Sequence, residues 1–314
     1  MRKDPIRIGT RESQLAIWQA DLVKKNLEEN GHEATLVAIK SEGDIDLVTP
    51  LYAMGVQGVF TRSLDAALLS GKIDIAVHSM KDVPVQLPTG IAQAAVLKRA
   101  NHKDILVVND KKSIEHQLST PFTTHHAPLI IATSSVRRKA QWLHRYPQTT
   151  IENLRGNVNT RLKKVAESGW HGAIFAAAGL ERINVRPDNS LDLDWMLPAP
   201  AQGAIMVVAR ESDAEVRDIC AKLNDPYTAI AVKIERDFLS ALMGGCSTPI
   251  SALAQVSEAG IVFEGNIVAP DGSKKIEVNQ HFELRDIDQA GASAAQLILE
   301  QGGDKIISAF NNAK

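Results

Sequence analysis

The sequence predicts an α/β protein with three units: two α/β domains that form a cleft, and a smaller C-terminal α+β domain with an antiparallel sheet. Strand and helix signals alternate over residues 6–77, and they alternate again over 105–177. After residue 250 the pattern changes to strands of alternating polarity joined by the turn Pro270-Asp271-Gly272-Ser273. Open α/β sheets bind ligands at the carboxyl ends of their strands, so we expect the site there.

The domain boundaries follow from two places where the chain would cross between the α/β domains, near 101–103 and near 198–200. A chain that crosses twice returns to its first domain before it enters the third. We therefore predict that domain 1 contains 1–100 and 199–220, domain 2 contains 101–198, and domain 3 contains 221–314.

The first domain is predicted to begin with a strand at Ile6–Ile8. A helix follows from about Ser13, because Leu15, Trp18 and Leu22 lie on or near one stripe at helical spacing. A strand at 35–39, a helix at 61–69 and a strand at 73–77 complete a β-α-β-α-β order, which favours a mainly parallel sheet.

The second and third domains are predicted from the same two kinds of pattern. Buried strands and amphipathic helices alternate in the second domain, whereas the third begins with strands and ends with helices. The predicted strands of the second domain cover 105–108, 129–132, 150–154 and 173–177, with helices at 135–144 and 159–167; those of the third cover 252–256, 261–268 and 275–278, with a helix at 290–300.

The composition excludes several classes of protein. The chain has 314 residues and a formal net charge of −2, which does not favour bulk binding to nucleic acid or to a membrane surface. It has no apolar segment of membrane-spanning length and no apolar signal segment near its N-terminus, so we expect a cytoplasmic protein. No apolar stripe argues for an obligate dimer, so we expect a monomer. The two cysteines lack CxxC spacing and indicate neither a disulfide framework nor a metal site.

Basic residues concentrate between Leu129 and Lys164, where eight of them accompany a single acid, Glu152. Four arginines lie at strand-to-helix junctions, where hydroxyls and amide groups also favour an anion. A guanidinium engages a carboxylate through two parallel hydrogen bonds, so the cluster predicts a carboxylate site. The alternatives are a solvated face or a phosphate site. The eight residues are Arg137, Arg138, Lys139, Arg145, Arg155, Arg161, Lys163 and Lys164.

A carboxylate, Asp82, follows the buried strand at 73–77, together with Ser79 and Lys81. At the end of such a strand it can accept a hydrogen bond from a substrate N–H and stabilise a developing cation. Lys81 would help to keep it ionised. The alternative is a turn aspartate that caps its own backbone.

Cys246 follows two glycines in Gly244-Gly245-Cys246-Ser247. Glycines permit close approach of a ligand to the backbone, and an electropositive cleft favours the nucleophilic thiolate. Cys246 is therefore a candidate for covalent chemistry. Most lone cysteines are inert and buried, and Cys220, in a helical pattern, fits that alternative.

Taken together, these motifs resemble the hydroxymethylbilane synthase family, also called porphobilinogen deaminase, over nearly the whole chain. Each motif is short, but their order and spacing are specific. They are Thr10-Arg11-Glu12-Ser13, Ala76 to Pro84, Thr133 to Arg138, Leu154 to Leu162, Ala177-Ala178-Gly179-Leu180, Gln202-Gly203-Ala204 and Gly244-Gly245-Cys246.

The resemblance implies a fold and a reaction. The first two domains would be like those of a two-lobed periplasmic binding protein. Cys246 would hold a dipyrromethane cofactor through a thioether. Four porphobilinogen molecules would be added head to tail, each losing ammonia and leaving a cationic azafulvene that Asp82 stabilises, before water releases hydroxymethylbilane. The rival interpretation is a non-catalytic or weakly active two-lobed anion-binding paralogue.

The resemblance also implies which residues bind the cofactor and the growing chain, because each pyrrole carries an acetate and a propionate. These residues are Arg11, Ser13, Phe60, Ser79, Lys81, Thr133, Ser134, Arg137, Arg138, Arg155, Gly156, Arg161, Arg182 and Gln202.

The sequence departs from the family pattern at several positions. Two lysines that are common in the family's lid segment correspond to Ala53 and Gln57, and we expect lower activity from their loss. The usual Val-Gly-Gln-Gly-Ala reads Pro200-Ala201-Gln202-Gly203-Ala204, and a usual aspartate is replaced by His171.

Overall fold

The computed structural model describes residues 4–40, 61–110, 114, 128–242 and 248–312. In chain order the strands are β1 (Ile6–Thr10), β2 (Ala34–Ala38), β3 (Ile75–Ser79), β4 (Ile91–Val96), β5 (Asp104–Val108), β6 (Ile130–Ala132), β7 (Thr150–Glu152), β8 (Gly172–Ala176), β9 (Ser190–Asp192), β10 (Ile205–Arg210), β11 (Ile250–Ser257), β12 (Gly260–Val268) and β13 (Lys275–Phe282). The helices are α1 (Gln14–Glu29), α2 (Arg62–Leu69), α3 (Val136–Arg145), α4 (Val158–Glu167), α5 (Ala177–Glu181), α6 (Ala214–Ala221), α7 (Pro226–Ala241), α8 (Ile287–Glu300) and α9 (Gly303–Asn312).

Two five-stranded sheets share one pattern of strand directions, although their strands follow one another in a different order along the chain. The first has the order β2-β1-β3-β10-β4, and the second has the order β7-β6-β8-β5-β9. In the first, β1 is parallel to β2 and β3, whereas β10 is antiparallel to β3 and β4. In the second, β6 is parallel to β7 and β8, whereas β5 is antiparallel to β8 and β9. The predicted α/β class with a smaller antiparallel unit is confirmed, but the sheets are mixed rather than mainly parallel.

The chain passes twice between the two sheets, and its two passages lie side by side. Leu97 donates a backbone hydrogen bond to Ile205 (3.0 Å), and Ala100 donates one to Gly203 (3.1 Å). Gly203 has φ +87°, and a Cβ there would lie 2.7 Å from the Ala100 carbonyl oxygen. Glycine is therefore required where the passages approach each other closely.

Side-chain caps fix where the cleft-facing helices begin. Ser13 accepts a hydrogen bond from Ala16 N at the start of α1, and Ser135 accepts one from Arg138 N at the start of α3. Asn157 caps α4 in the same way. Each cap satisfies an amide that the helix itself leaves without a partner.

The C-terminal unit packs three helices against the sheet β11-β12-β13. Phe238 of α7 and Phe263 of β12 are fully buried, with ring centroids 5.1 Å apart. Gly291 of α8 lies against α7, where a Cβ would be 2.4 Å from Ile234 O. The absence of a side chain at Gly291 therefore allows α8 to pack closely against α7.

Most predicted elements agree with the observed ones to within two residues, except that α8 begins at Ile287 rather than at 290 and β13 runs on to Phe282. The strands β4, β9 and β10 and the helices α5, α7 and α9 are additional to the prediction. No helix in the described part of the chain is both long and apolar enough to cross a membrane. Across the same residues, no cluster of histidine, cysteine and acidic side chains could hold a metal ion.

Candidate active site

A cleft of about 480 Å³ lies between the two α/β units and is lined by the carboxyl ends of β1, β3, β6 and β8 and by the second passage of the chain. Phe60, Cys246, Ala53 and Gln57 lie outside the described residues. Every other predicted site residue lines the cleft: Arg11, Ser13, Ser79, Lys81, Asp82, Thr133, Ser134, Arg137, Arg138, Arg155, Gly156, Arg161, Arg182 and Gln202.

Asp82 ends a short 3-10 turn, Met80–Asp82, directly after β3. Met80 is buried, and its amide donates to Ala204 O (3.0 Å), while Val83 N donates back to Met80 O (3.1 Å). The carboxylate of Asp82 makes no hydrogen bond to any other described side chain or backbone group, so a self-capping turn has no support in these contacts. Asp82 favours the charged forms of Lys81 and Arg161, raising the pKa of each against the effect of burial.

A buried carboxylate that the sequence analysis missed, Asp104, organises one side of the cleft. Its Oδ2 accepts a hydrogen bond from Arg137 Nη2 (2.6 Å), and its Oδ1 accepts from Arg138 Nη2 (2.7 Å) and Gln202 Nε2 (2.9 Å). Burial alone would raise the pKa of Asp104, but Arg137, Arg138 and Lys81 together hold it well below its ordinary value. Asp104 therefore remains ionised and offsets much of the charge of the two arginines.

Arg137 and Arg138 each donate one further hydrogen bond to the backbone, while Arg137 Nε is buried without a partner among the described residues. Arg137 Nη1 donates to Leu197 O (2.7 Å), and Arg138 Nη1 donates to Ile174 O (3.0 Å). Both side chains are buried, at 4% and 6% exposure. These two arginines were predicted as substrate ligands, but most of their hydrogen-bonding capacity is used within the protein.

Lys81 connects the Asp82 turn to this buried network. Its Nζ donates to Gln202 Oε1 (3.1 Å), and Gln202 Nε2 donates to His102 O (2.8 Å) as well as to Asp104. Burial and the charge of Arg138 lower the pKa of Lys81 to about 8, although Asp82 and Asp104 oppose the shift. We name Asp104, Arg137, Arg138, Gln202 and Lys81 the Asp104 network.

Arg161 and Arg182 differ from the arginines of that network. Arg161 Nε donates to Gly156 O (2.7 Å), and Arg182 Nη2 donates to Gly203 O (2.7 Å). Neither forms an ion pair with a carboxylate among the described residues. Burial lowers the pKa of each to about 10, so both remain charged at neutral pH. They therefore bring positive charge to the cleft without a partner carboxylate, which favours an anionic ligand.

Several predicted hydroxyl donors already have local partners. Ser134 Oγ donates to Leu154 O (2.5 Å) and lies 2.6 Å from Asn153 Oδ1, while Ser79 Oγ exchanges hydrogen bonds with the amide of Gln19. Thr133 Oγ1 accepts a bond from Ser135 N (3.2 Å). These groups shape the cleft wall, and they can reach a ligand only through their remaining bonding capacity.

Four of the eight basic residues counted in the sequence do not line the cleft. Arg145 lies over the rings of Trp195 (5.0 Å) and Tyr146 (5.7 Å), and Lys163 pairs with Glu167 on exposed α4. Lys164 donates to Arg155 O (3.2 Å), and Lys139 is exposed. For these four, the interpretation as a solvated or structural basic face is the better one.

Two histidines near the site have structural environments. His78 is 7% exposed, and burial together with Arg11 lowers its pKa to about 4, so it is neutral at physiological pH. His171, which stands at a position where the family pattern has aspartate, accepts a hydrogen bond from Ile130 N through Nδ1 (3.0 Å). An imidazole nitrogen thus satisfies the amide at the start of β6.

Comparison with known proteins identifies the family. The family model described as "Porphobilinogen deaminase, dipyromethane cofactor binding domain" matches residues 6–218, and "Porphobilinogen deaminase, C-terminal domain" matches 229–300. A porphobilinogen deaminase of Syntrophotalea carbinolica is 39% identical over 99% of this chain and 98% of its own length. That of Moorella thermoacetica is 39% identical, and a probable porphobilinogen deaminase of Methanococcoides burtonii is 37% identical, each over 96% of this chain and 95% of its own.

Solved structures with a similar fold are more distant. The periplasmic VFT2 domain of BvgS from Bordetella pertussis is 13% identical, covering 69% of this chain and 86% of that domain with a TM-score of 0.40. An ancestral cationic amino acid solute binding protein is 14% identical, covering 70% and 87% with a TM-score of 0.43. At such scores the fold assignment rests on the strand orders of the chain itself.

The family matches confirm the predicted enzyme class, a transferase of tetrapyrrole biosynthesis that acts on porphobilinogen, and the predicted dipyrromethane cofactor. They extend over both α/β units and most of the C-terminal unit. The chain belongs to the porphobilinogen deaminase family.

Proposed function

We propose that the chain joins four porphobilinogen molecules head to tail in this cleft, onto a dipyrromethane primer held by Cys246, and releases hydroxymethylbilane. The observation that carries this assignment is the carboxylate of Asp82, which makes no hydrogen bond to another described residue and faces a cleft lined by arginines from both α/β units. We further propose that the protein acts as a cytoplasmic monomer, with domain boundaries at 1–100 with 199–220, 101–198 and 221–314.

The donor set of the cleft fits the cofactor and the substrate. Pyrroles with acetate and propionate side chains bring several carboxylates, and Arg161 and Arg182 offer guanidinium groups that no described carboxylate neutralises. Arg11 and Arg155 line the same cleft. Arginine binds carboxylates through paired hydrogen bonds, so these side chains would orient each ring in turn. When bound, the dipyrromethane supplies the terminal pyrrole carbon to which the first substrate is joined.

Asp82 would act on the reacting ring. In each addition the aminomethyl C–N bond of porphobilinogen breaks, ammonia leaves, a C–C bond forms, and the attacked pyrrole carbon loses its proton. A carboxylate that accepts the pyrrole N–H stabilises the positive charge that develops as ammonia leaves. The same group can accept and return the proton that is displaced.

Asp82 has no competing hydrogen bond from a described residue, so it can take this role without giving up a contact of the fold. The Asp104 network, in contrast, would hold the cleft wall in place through its internal bonds. Within that network, Lys81 would remain able to donate to a carboxylate with its other protons.

Intact mass tests the assignment. The purified chain should carry a mass increment equal to a dipyrromethane, and Cys246→Ser should lack it. Addition of porphobilinogen should then give stepwise heavier complexes. Asp82→Ala should keep the increment and lose turnover. An anion-binding paralogue would show neither increment nor stepwise complexes, and near-normal turnover by Asp82→Ala would contradict the role of that carboxylate.

The positions Ala53 and Gln57 call for a separate comparison. Their family counterparts are lysines, so the double variant Ala53→Lys/Gln57→Lys should raise turnover if lid cations assist substrate capture. Equal rates would reject that expectation.

A further inference from the structure

One arginine of the C-terminal unit donates hydrogen bonds to the backbone that follows Asp82. Arg236 of α7 donates from Nη1 to Val83 O (3.0 Å), and from Nη2 to Pro84 O (2.5 Å) and Val85 O (3.0 Å). The side chain is 9% exposed. A single guanidinium therefore satisfies three consecutive carbonyls, which its planar fork of donors suits.

These three carbonyls belong to a segment that is neither helix nor strand. Pro84 has no amide hydrogen, so the segment has one donor fewer with which to hold itself in place. At the other end of the Asp82 turn, Met80 N is fixed by Ala204 O (3.0 Å). Hydrogen bonds thus hold the turn on both sides of Asp82: one to Ala204 in the second passage of the chain before it, and those from Arg236 after it.

The helix that carries Arg236 also leads toward the predicted site of cofactor attachment. α7 ends at Ala241, five residues before Cys246 in the sequence. The residue before Arg236, Glu235, is fully buried, and its side chain accepts hydrogen bonds from Arg99, Ala201 N and Ala254 N. The helix is therefore fixed to the chain passages through Glu235 and to the Asp82 segment through Arg236.

We propose that Arg236 is a positioning residue for Asp82: it sets the direction of the carboxylate relative to the chain that grows from the C-terminal unit. This role rests on the proposed function of Asp82. A guanidinium that only stabilised the fold would change the unfolding transition but would not act through the carboxylate.

Kinetics of Arg236→Lys and the matched variant Lys233→Gln test the proposal in the full chain with its cofactor. Lys233 lies on the same helix, exposed, and pairs with Asp237 and Asp288. A lysine at 236 keeps the charge but cannot hold three carbonyls in one plane. We expect kcat to fall about tenfold with KM changed by less than about twofold, since misplacement by an ångström costs about a hundredfold. Lys233→Gln should match the unmodified chain.

A double-mutant cycle with Asp82→Glu separates positioning from stability. Glutamate already displaces the carboxylate, so in that background Arg236→Lys should lower kcat by less than about threefold. Loss of the same factor in both backgrounds, or unchanged kcat in Arg236→Lys, would overturn the role of Arg236. If Arg236→Lys does not fold, Arg236→Gln enters the same cycle. If the chain without any substitution showed no turnover, the proposed function would be contradicted, and the positioning role of Arg236 would fall with it.

Discussion

The cleft contains two kinds of arginine that are indistinguishable in the sequence. Arg137 and Arg138 share the buried carboxylate of Asp104, and each also donates a hydrogen bond to a backbone carbonyl. Arg161 and Arg182 donate to backbone carbonyls, Arg182 also lies over the ring of Trp18 (5.9 Å), and neither forms an ion pair with a carboxylate among the described residues. The first pair shares one internal carboxylate, whereas the second pair has no ion-pair partner among the described residues and brings positive charge to the cleft.

This difference assigns the two pairs separate tasks. Charges that are paired inside the protein mainly hold its shape, and breaking one such pair leaves a buried charge uncompensated. Charges without an internal counterion attract a carboxylate ligand more strongly, because no ion pair must be broken first. Variants of Asp104 should therefore change stability first, and variants of Arg161 or Arg182 should change substrate binding first.

The largest effect is expected from Asp104→Asn. This substitution keeps the shape of the side chain but leaves Arg137 and Arg138 without their counterion, and we expect the free energy of unfolding to fall by about 3–5 kcal/mol. Chemical denaturation monitored by circular dichroism measures this change. A loss below about 1 kcal/mol would show that the arginines do not depend on Asp104.

The dependence of the free energy of unfolding on pH, on the acid side, provides the control. The pKa of Asp104 is held well below its ordinary value, so its contribution is fully present above the unfolded pKa of about 4. That contribution is lost as the pH falls through the folded pKa. The difference in stability between the unmodified chain and Asp104→Asn should consequently narrow below about pH 4.

A smaller effect, on binding, is expected from Arg182→Met. It removes a cation that has no carboxylate partner among the described residues, and the KM for porphobilinogen should rise about tenfold to thirtyfold. Stability should change by less than about 1 kcal/mol, because no buried carboxylate is orphaned. Lys163→Gln is the matched control, since Lys163 is exposed and its ion pair within the described part of the chain is with Glu167. If Arg182→Met lowered the stability without changing KM, Arg182 would have the same structural role as Arg137 and Arg138, and the distinction between the two pairs would be wrong.

The pH dependence of KM offers a finer test through Lys81, whose pKa is lowered to about 8. A protonated lysine attracts substrate carboxylates, so affinity should be full below pH 8 and should weaken as the pH rises through that value. We expect KM to rise severalfold between pH 7 and 9 by that loss of charge. Lys81→Arg, which stays charged, should flatten this part of the profile; an unchanged slope would remove Lys81 from substrate binding.

The smallest effect is expected from Ala201→Gly, next to the Asp104 network. This residue has φ 61°, in the left-handed region, at a position where the family pattern has glycine. Ala201→Gly would relieve strain of about 1 kcal/mol but lose a buried methyl worth about 0.8 kcal/mol, so the free energy of unfolding should change by less than about 0.5 kcal/mol. Ala201→Val should cost about 2 kcal/mol or more, because a β-branched residue tolerates this φ poorly. Equal stability of the two variants in thermal denaturation would contradict this account.

Local pattern was sufficient to predict most of the fold. Helical spacing predicted α1, and the strand-to-helix junctions predicted which ends of the strands face the cleft. The strand β10 was missed although residues 205–209 form a continuous apolar run, and its partners β3 and β4 lie more than a hundred residues earlier. Pairing across that separation has no local signature.

The site was predictable as a set of residues but not as a set of bonds. The motifs brought together the residues that line the cleft, yet Asp104 was not identified as a site residue, and the strand predicted beside it begins only at residue 105. Its partners lie 33 and 34 residues further along the chain. Arg236 was missed for the same reason, because its acceptors are backbone carbonyls, which look alike in any sequence.

The position of β10 in the first sheet has a consequence for how the protein is made. All five strands of the second sheet lie between residues 104 and 192, whereas the first sheet needs β10, at 205–210, to join β3 to β4. On a ribosome, which delivers the chain from its N-terminus, the second sheet has all its strands before the first. Of these two sheets, the one that begins first is therefore completed second, and until β10 emerges β4 lacks the strand that joins it to β3.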